Sequence, residues 1–276
     1  MPTRVYSQPV RCLLSSVLPK GRGLVLMLKL YADESVDNDT SLMNVSGYLM
    51  TEDQFAALDD AVRIARGDLL YFHMKESHHL KYPDIYQKLV GLIRPETVIC
   101  GLSVYLYLND YKTLSAAKSE YTRGQSLAYW FGGAYTYATG AMMALCSGWL
   151  DESDLYRDEQ VAYIFENNPH QGNADTFWGL LDKPQFADRK QQNHYISHTF
   201  VDGKGPLGSV LQVCDILAWN LNKMQREKQK TPELNRLFLT PTFWFHHGPK
   251  EISKTLHGAL DYWEKFDKKG KPYQPS

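Results

Sequence analysis

Leu207 to Asn222 (LGSVLQVCDILAWNLN) carries one charged side chain, Asp215, in a segment whose apolar residues recur at helical spacing. Val210, Cys214, Leu217, Leu221 and Met224 alternate steps of four and three, the stripe of a helix that faces a core. Asp215 has Leu211 and Trp219 four residues away and Ala218 three away, so its helical neighbours are largely apolar. An unpaired carboxylate in such a place costs several kcal/mol, so Asp215 must be paired, protonated or bound to a metal. Any fold open to this chain therefore buries the helix and brings something polar to that acid. A helix N-terminus or an arginine would serve structure; a metal would serve chemistry.

Two more acids stand at the ends of short apolar and aromatic runs that read as strands: Asp33 after Met27 to Ala32 (MLKLYA), and Glu166 after Val161 to Phe165 (VAYIF). Glu34 and Ser35 follow the first, Asn167, Asn168 and Pro169 the second, so each acid sits where a strand opens into a loop. Further strands are expected at 43–50, about 98–108 and 194–200. Helices are expected from about 122 to 149, at about 173–182 and over the Asp215 segment. With a helical insertion at about 51–97 set aside, the order is β-β-β-α-β-α-β-α. That is the order of the ribonuclease H-like α/β fold, a mixed sheet flanked by helices, in which acids on the first strand, the fourth strand and a late helix meet at one edge.

The same residues carry a family resemblance. Tyr31-Ala32-Asp33-Glu34-Ser35, Phe72-His73-Met74-Lys75, Phe165-Glu166 and Leu211-Gln212-Val213-Cys214-Asp215-Ile216-Leu217-Ala218 resemble, in order, the motif blocks of the domain of unknown function 3800 family. The resemblance implies a ribonuclease H-like fold and a metal-dependent nuclease, in the setting of mobile elements and phage defence. Val36 departs from the Gly that often follows Asp-Glu-Ser, and Glu76 stands near where the family often has Asp. Neither departure removes an acid.

Converging carboxylates suit hard cations. Mg²⁺ or Mn²⁺ takes oxygen ligands, and such ions can activate water and stabilise the leaving oxygen in phosphodiester hydrolysis. Asp33, Glu166 and Asp215 are the expected ligands. His73 and Glu76 are expected to add a fourth ligand or a proton-transfer group. Glu34 is an outer group of the cluster, and Lys75 and Gln212 are candidate substrate contacts. His194 and His198, four apart on a strand, share a face but lack a third zinc ligand at fixed spacing. No Gly-rich phosphate loop and no GxSxG elbow is evident, which argues against nucleotide-triphosphate and serine hydrolysis.

The formal charge of −1 excludes a bulk electrostatic grip on nucleic acid, so that partner requires a local patch. Lys223, Arg226, Lys228 and Lys230 crowd the end of the Asp215 helix, where they equally complement its dipole. Cys12, Cys100, Cys146 and Cys214 are widely spaced, as in a reducing, cytoplasmic compartment. Gly124 to Leu150 is uncharged, but its polar and small residues favour packing on a sheet over a membrane span. Residues 1–26 read as a leader or a start placed too early, so a chain from Met27 is expected to keep its stability. Residues 27–231 form the expected domain, and 232–276 its C-terminal extension. The competing reading is a ribonuclease H-like module that binds nucleic acid or protein without catalysis.

Overall fold

Met27–Asp37 (β1) and Leu42–Thr51 (β2) form an antiparallel hairpin that seeds the sheet. Both strands carry buried apolar residues on both faces, as strands covered on two sides do. The turn between them is held by Asp37, whose Oδ1 accepts the N–H of Asp39 (3.0 Å) and of Thr40 (3.4 Å). In this computed structural model, residues 27–116, 132–168, 171–184, 187–205 and 207–256 are described. The expected leader, and residues 122–131 of the helix expected from about 122, lie outside them.

Thr51 ends β2 and caps the next helix in a single residue. Its hydroxyl accepts the N–H of Gln54, and the Gln54 side chain accepts the N–H of Thr51, so Glu52–Arg66 (α1) starts at once. His78–Lys81 (α2) and Pro83–Leu92 (α3) follow, all within the expected insertion, before Cys100–Tyr107 (β3). The chain continues through Leu108–Ser115 (α4), Ala134–Asp151 (α5), Gln160–Glu166 (β4), Gln171–Leu181 (α6) and Ala187–Gln192 (α7). Tyr195–Val201 (β5), Leu211–Glu227 (α8), Pro232–Leu237 (α9) and Thr242–His247 (β6) complete the order, with a helical turn at 249–256 after them.

The result is an α/β architecture with a six-stranded mixed sheet in the order β5-β4-β1-β2-β3-β6, in which only β2 runs against its neighbours. One face packs against α5, with Trp178 of α6 buried among its aromatic residues. The other packs against α1, α3 and α8, with α8 lying across β1 and β2. Three polar links pin α8 to the sheet: Cys214 Sγ to Tyr31 O (3.2 Å), Asn44 Nδ2 to Ala218 O (3.3 Å) and Asn222 Nδ2 to Ser35 O (3.0 Å).

Two local expectations differ from the structure. β1 does not end at Asp33 but runs to Asp37, because β2 continues beside it after β4 has stopped. His194 precedes β5 with φ +50, so it closes a turn and is not a strand partner of His198. Each histidine pairs with its own acid, His194 with Asp151 (2.9 Å) and His198 with Asp175 (3.0 Å). Cys100, Cys146 and Cys214 are free and buried. Among the described residues, no helix is long and apolar enough to cross a membrane.

Candidate active site: a buried carboxylate cluster

The parallel register pairs Ala32 with Phe165, which sets Asp33 beside Glu166 at the point where β4 stops. Alternation along the strands sends Asp33 to the face that carries Tyr31 and Ile164, the face covered by α8. Asp215 stands on α8, one residue after Cys214, which contacts β1 at Tyr31. Two strands and a helix thus deliver three acids to one place. Asp33 is 3% exposed and Asp215 4%.

Their electrostatics show how close they are. Burial raises the Asp33 carboxyl well above its usual range, and Glu34, Glu166 and Asp215 raise it further by repulsion. Its side chain is within hydrogen-bonding reach of Glu166, and its Oδ1 also accepts the N–H of Glu34 (2.7 Å). Glu34 is raised in the same way, first by burial and then by Glu166. Asp215 is pushed up to about 6 by burial and by Glu166, against the opposing pull of His73 and the Met74 N–H. Among the described residues, no lysine or arginine forms an ion pair with any of the four.

A strap from Tyr71 to His78 holds the cluster from outside. The Phe72 N–H donates to Gln212 Oε1 (3.0 Å), and the Met74 N–H donates to Asp215 Oδ2 (2.7 Å). The strap backbone is therefore clipped to two residues one turn apart on α8. Between those clips, His73 Nδ1 lies 3.2 Å from Asp215 Oδ2 and accepts the Lys75 N–H (3.0 Å). The Tyr71 hydroxyl donates to Glu166 Oε1 (2.9 Å), and the next strap residue in the chain is anchored to α8, so the strap bridges β4 and α8. His78 supports it from behind, its Nδ1 accepting the His73 N–H (3.0 Å).

No family model and no curated protein matches the chain. The likeness to the domain of unknown function 3800 family therefore stands on its short motif blocks.

The structure brings Asp33, Glu166, Asp215, Glu34, His73 and Gln212 into one neighbourhood. Gln212 anchors the strap, with its Nε2 buried and without a hydrogen-bond partner. Glu76 is not brought in: its carboxylate pairs with His78 Nε2 (3.1 Å), on the outer side of the strap. Lys75 is exposed in the same short turn. The basic residues at the end of α8 are largely engaged within the protein. Arg226 pairs with Asp37 and Glu227, Lys223 lies over Trp219, and Lys230 lies over Phe238.

Three contributors escape the sequence pattern. Tyr71 reads as part of an apolar pair, although its hydroxyl holds Glu166. Gly203 lies so close to Glu166 that a Cβ there would overlap Oε1. Lys204 sits over the Tyr71 ring, 5.6 Å from its centre. The signal for the last two was the Asp-Gly-Lys-Gly run before α8, which punctuates a turn as such runs do.

The donor set can be tested against a cation. It is all oxygen, as Mg²⁺ and Mn²⁺ require, and Glu34 Oε2 is buried without a hydrogen-bond partner. Among the described residues, no group of three His, Cys, Asp or Glu stands arranged to hold a metal. The reason is visible in the bonding: Asp33 and Glu166 approach each other, while Asp215 turns an oxygen to the strap.

Proposed function

We propose that the chain is a ribonuclease H-like, divalent-metal-dependent nuclease that hydrolyses phosphodiesters at the carboxylate cluster. One observation carries the reading: acids from the first strand, the fourth strand and the late helix meet in the interior with no lysine or arginine paired to them among the described residues. Buried structural acids are ordinarily paired with a cation. The strand order supports the same reading, with three antiparallel neighbours in the meander β1-β2-β3 and two parallel strands on the far side of β1.

Asp33, Glu166 and Asp215 would hold Mg²⁺ or Mn²⁺, with Glu34 beside them. The bound ion would supply charge neutralisation for the phosphate and a more acidic water. The protein's own groups prepare the site. The Met74 N–H fixes one oxygen of Asp215, and Tyr71 fixes one oxygen of Glu166, leaving each acid an oxygen for other partners. His73 is held through Nδ1, so Nε2 is the ring nitrogen available to move a proton. The buried setting excludes bulk water and strengthens every charge interaction inside it.

The test is cleavage of labelled single-stranded DNA, duplex DNA and an RNA–DNA hybrid with Mg²⁺, Mn²⁺ or a chelator. Metal-dependent cleavage lost in Asp33→Asn supports the reading. No cleavage of any substrate, together with no metal effect on melting temperature, would overturn it in favour of a non-catalytic module.

A further inference from the structure

The turn that carries Lys204 begins where the cluster ends. The N–H of Asn167, next to Glu166, donates to Val201 O (2.8 Å), which fixes the end of β5 against the end of β4. The chain then folds tightly: Asp202 Oδ1 accepts the Lys204 N–H (2.9 Å), and Asp202 O accepts the Gly205 N–H (2.8 Å). Gly208 closes the turn against the carbonyls of Asp202 and Gly203, so closely that a Cβ there would overlap both. Gly203 packs on Glu166 Oε1 in the same manner.

This turn is therefore fixed at both ends and carries an exposed lysine. The Lys204 ammonium rests over the ring of Tyr71, whose hydroxyl is bonded to Glu166. It makes no ion pair with an acid among the described residues. A cation held by a ring face keeps most of its donors free, which suits a phosphate. Lys75, by contrast, lies in the short turn whose acid, Glu76, points outward to His78.

We propose that Lys204, not Lys75, is the residue that contacts a backbone phosphate of the nucleic acid, placing the adjoining phosphodiester at the cluster. The inference rests on the nuclease reading of that cluster. Asp202 to Gly208 is not a nucleotide-triphosphate loop: the N–H groups of Lys204, Gly205 and Gly208 are bonded within the turn.

The experiment compares the parent with Lys204→Gln, Lys204→Arg and Lys88→Gln, the last on an exposed position of α3. Binding of the three labelled substrates is measured with Ca²⁺ over a salt series, and cleavage with Mn²⁺. Lys204→Gln is expected to raise Kd and KM about tenfold, as loss of a charge-assisted hydrogen bond does. It should also flatten the dependence of log Kd on log salt by about 0.7–0.9, one phosphate contact. Lys204→Arg should keep the parent slope and Lys88→Gln the parent affinity, with melting temperatures unchanged throughout. A Lys204→Gln protein with the parent's slope and KM overturns this proposal alone. A parent that binds none of the substrates overturns both this proposal and the nuclease reading.

Discussion

Asp215→Asn separates a metal ligand from a structural acid by its effect on stability at two pH values. The carboxyl is pushed from 3.8 to about 6 in the folded protein, so folding favours its protonated form. The resulting cost begins as pH rises through the unfolded value and is complete above about 6. A shift of roughly two units corresponds to ~3 kcal/mol at neutral pH. At about pH 4.5 most of that cost is absent, and ~1 kcal/mol remains by the same linkage. Asn carries none of it, and its Oδ1 can still accept the Met74 N–H. The stability of the variant relative to the parent, both free of metal, should therefore improve by ~2 kcal/mol between about pH 4.5 and about pH 7.5. In a chain of this size that is ~4–8 °C in relative melting temperature. Scanning calorimetry in chelator at the two pH values measures it. A variant ~3–5 kcal/mol less stable at neutral pH, and equally so in acid, would mean that Asp215 is half of a buried ion pair, and the reasoning would fail.

Saturating Mn²⁺ should stabilise the parent by ~2.7 kcal/mol at a hundredfold excess over Kd, read as a higher melting temperature, and chelator should reverse it; Asp33→Asn and Asp215→Asn should show little of either effect. Gly203→Ala should displace Glu166, because the added methyl occupies the place of Oε1; cleavage should fall by at least ~100-fold, and parent-like rates would show that Glu166 is not held there. Gln212→Ala strands the buried Phe72 N–H and should cost ~1–3 kcal/mol in a chemical-denaturation experiment, whatever the metal. A loss confined to activity would instead make Gln212 a substrate contact. Gly47→Ala should prevent folding altogether, since its methyl would overlap Tyr31 O across the β1–β2 ladder; soluble, cooperative unfolding of that variant would contradict the register.

Strands β1 to β5 were legible because each is a short run of apolar and β-branched or aromatic residues ended by turn residues, and those signals are local; β6, which pairs with β3 from within the expected C-terminal extension, was not expected as a strand. Expected strands fell within a few residues of the observed ones. The error at β1 has a physical cause: whether Asp33 ends a strand depends on how far its neighbours run, and β2 runs further than β4. His194 was misplaced for a similar reason, since a positive φ leaves no mark on a hydrophobic pattern. The acids were legible for a different reason. A carboxylate is conspicuous where its neighbours are apolar, and Asp33, Glu166 and Asp215 each stand against such a background.

What the pattern could not supply is the strap. Phe72 meets Gln212, Met74 meets Asp215 and Tyr71 meets Glu166 through bonds between residues 140, 141 and 95 apart, and two of the three use a backbone N–H. A backbone donor has no identity in the sequence, so periodicity cannot assign its partner. Glu76 and His73 illustrate the consequence. Three residues apart in one polar run, they look interchangeable as ligands or proton carriers. The strap divides them, because clipping Phe72 and Met74 to α8 turns the residue between inward, toward Asp215, and leaves Glu76 on the outer side against His78. If the strap is what assigns these roles, exchanging the two side chains should not exchange their functions. Glu76→Gln should cleave at nearly the parent rate, whereas His73→Gln should lose most of its activity. Equal losses in both variants would show that the strap does not set the division.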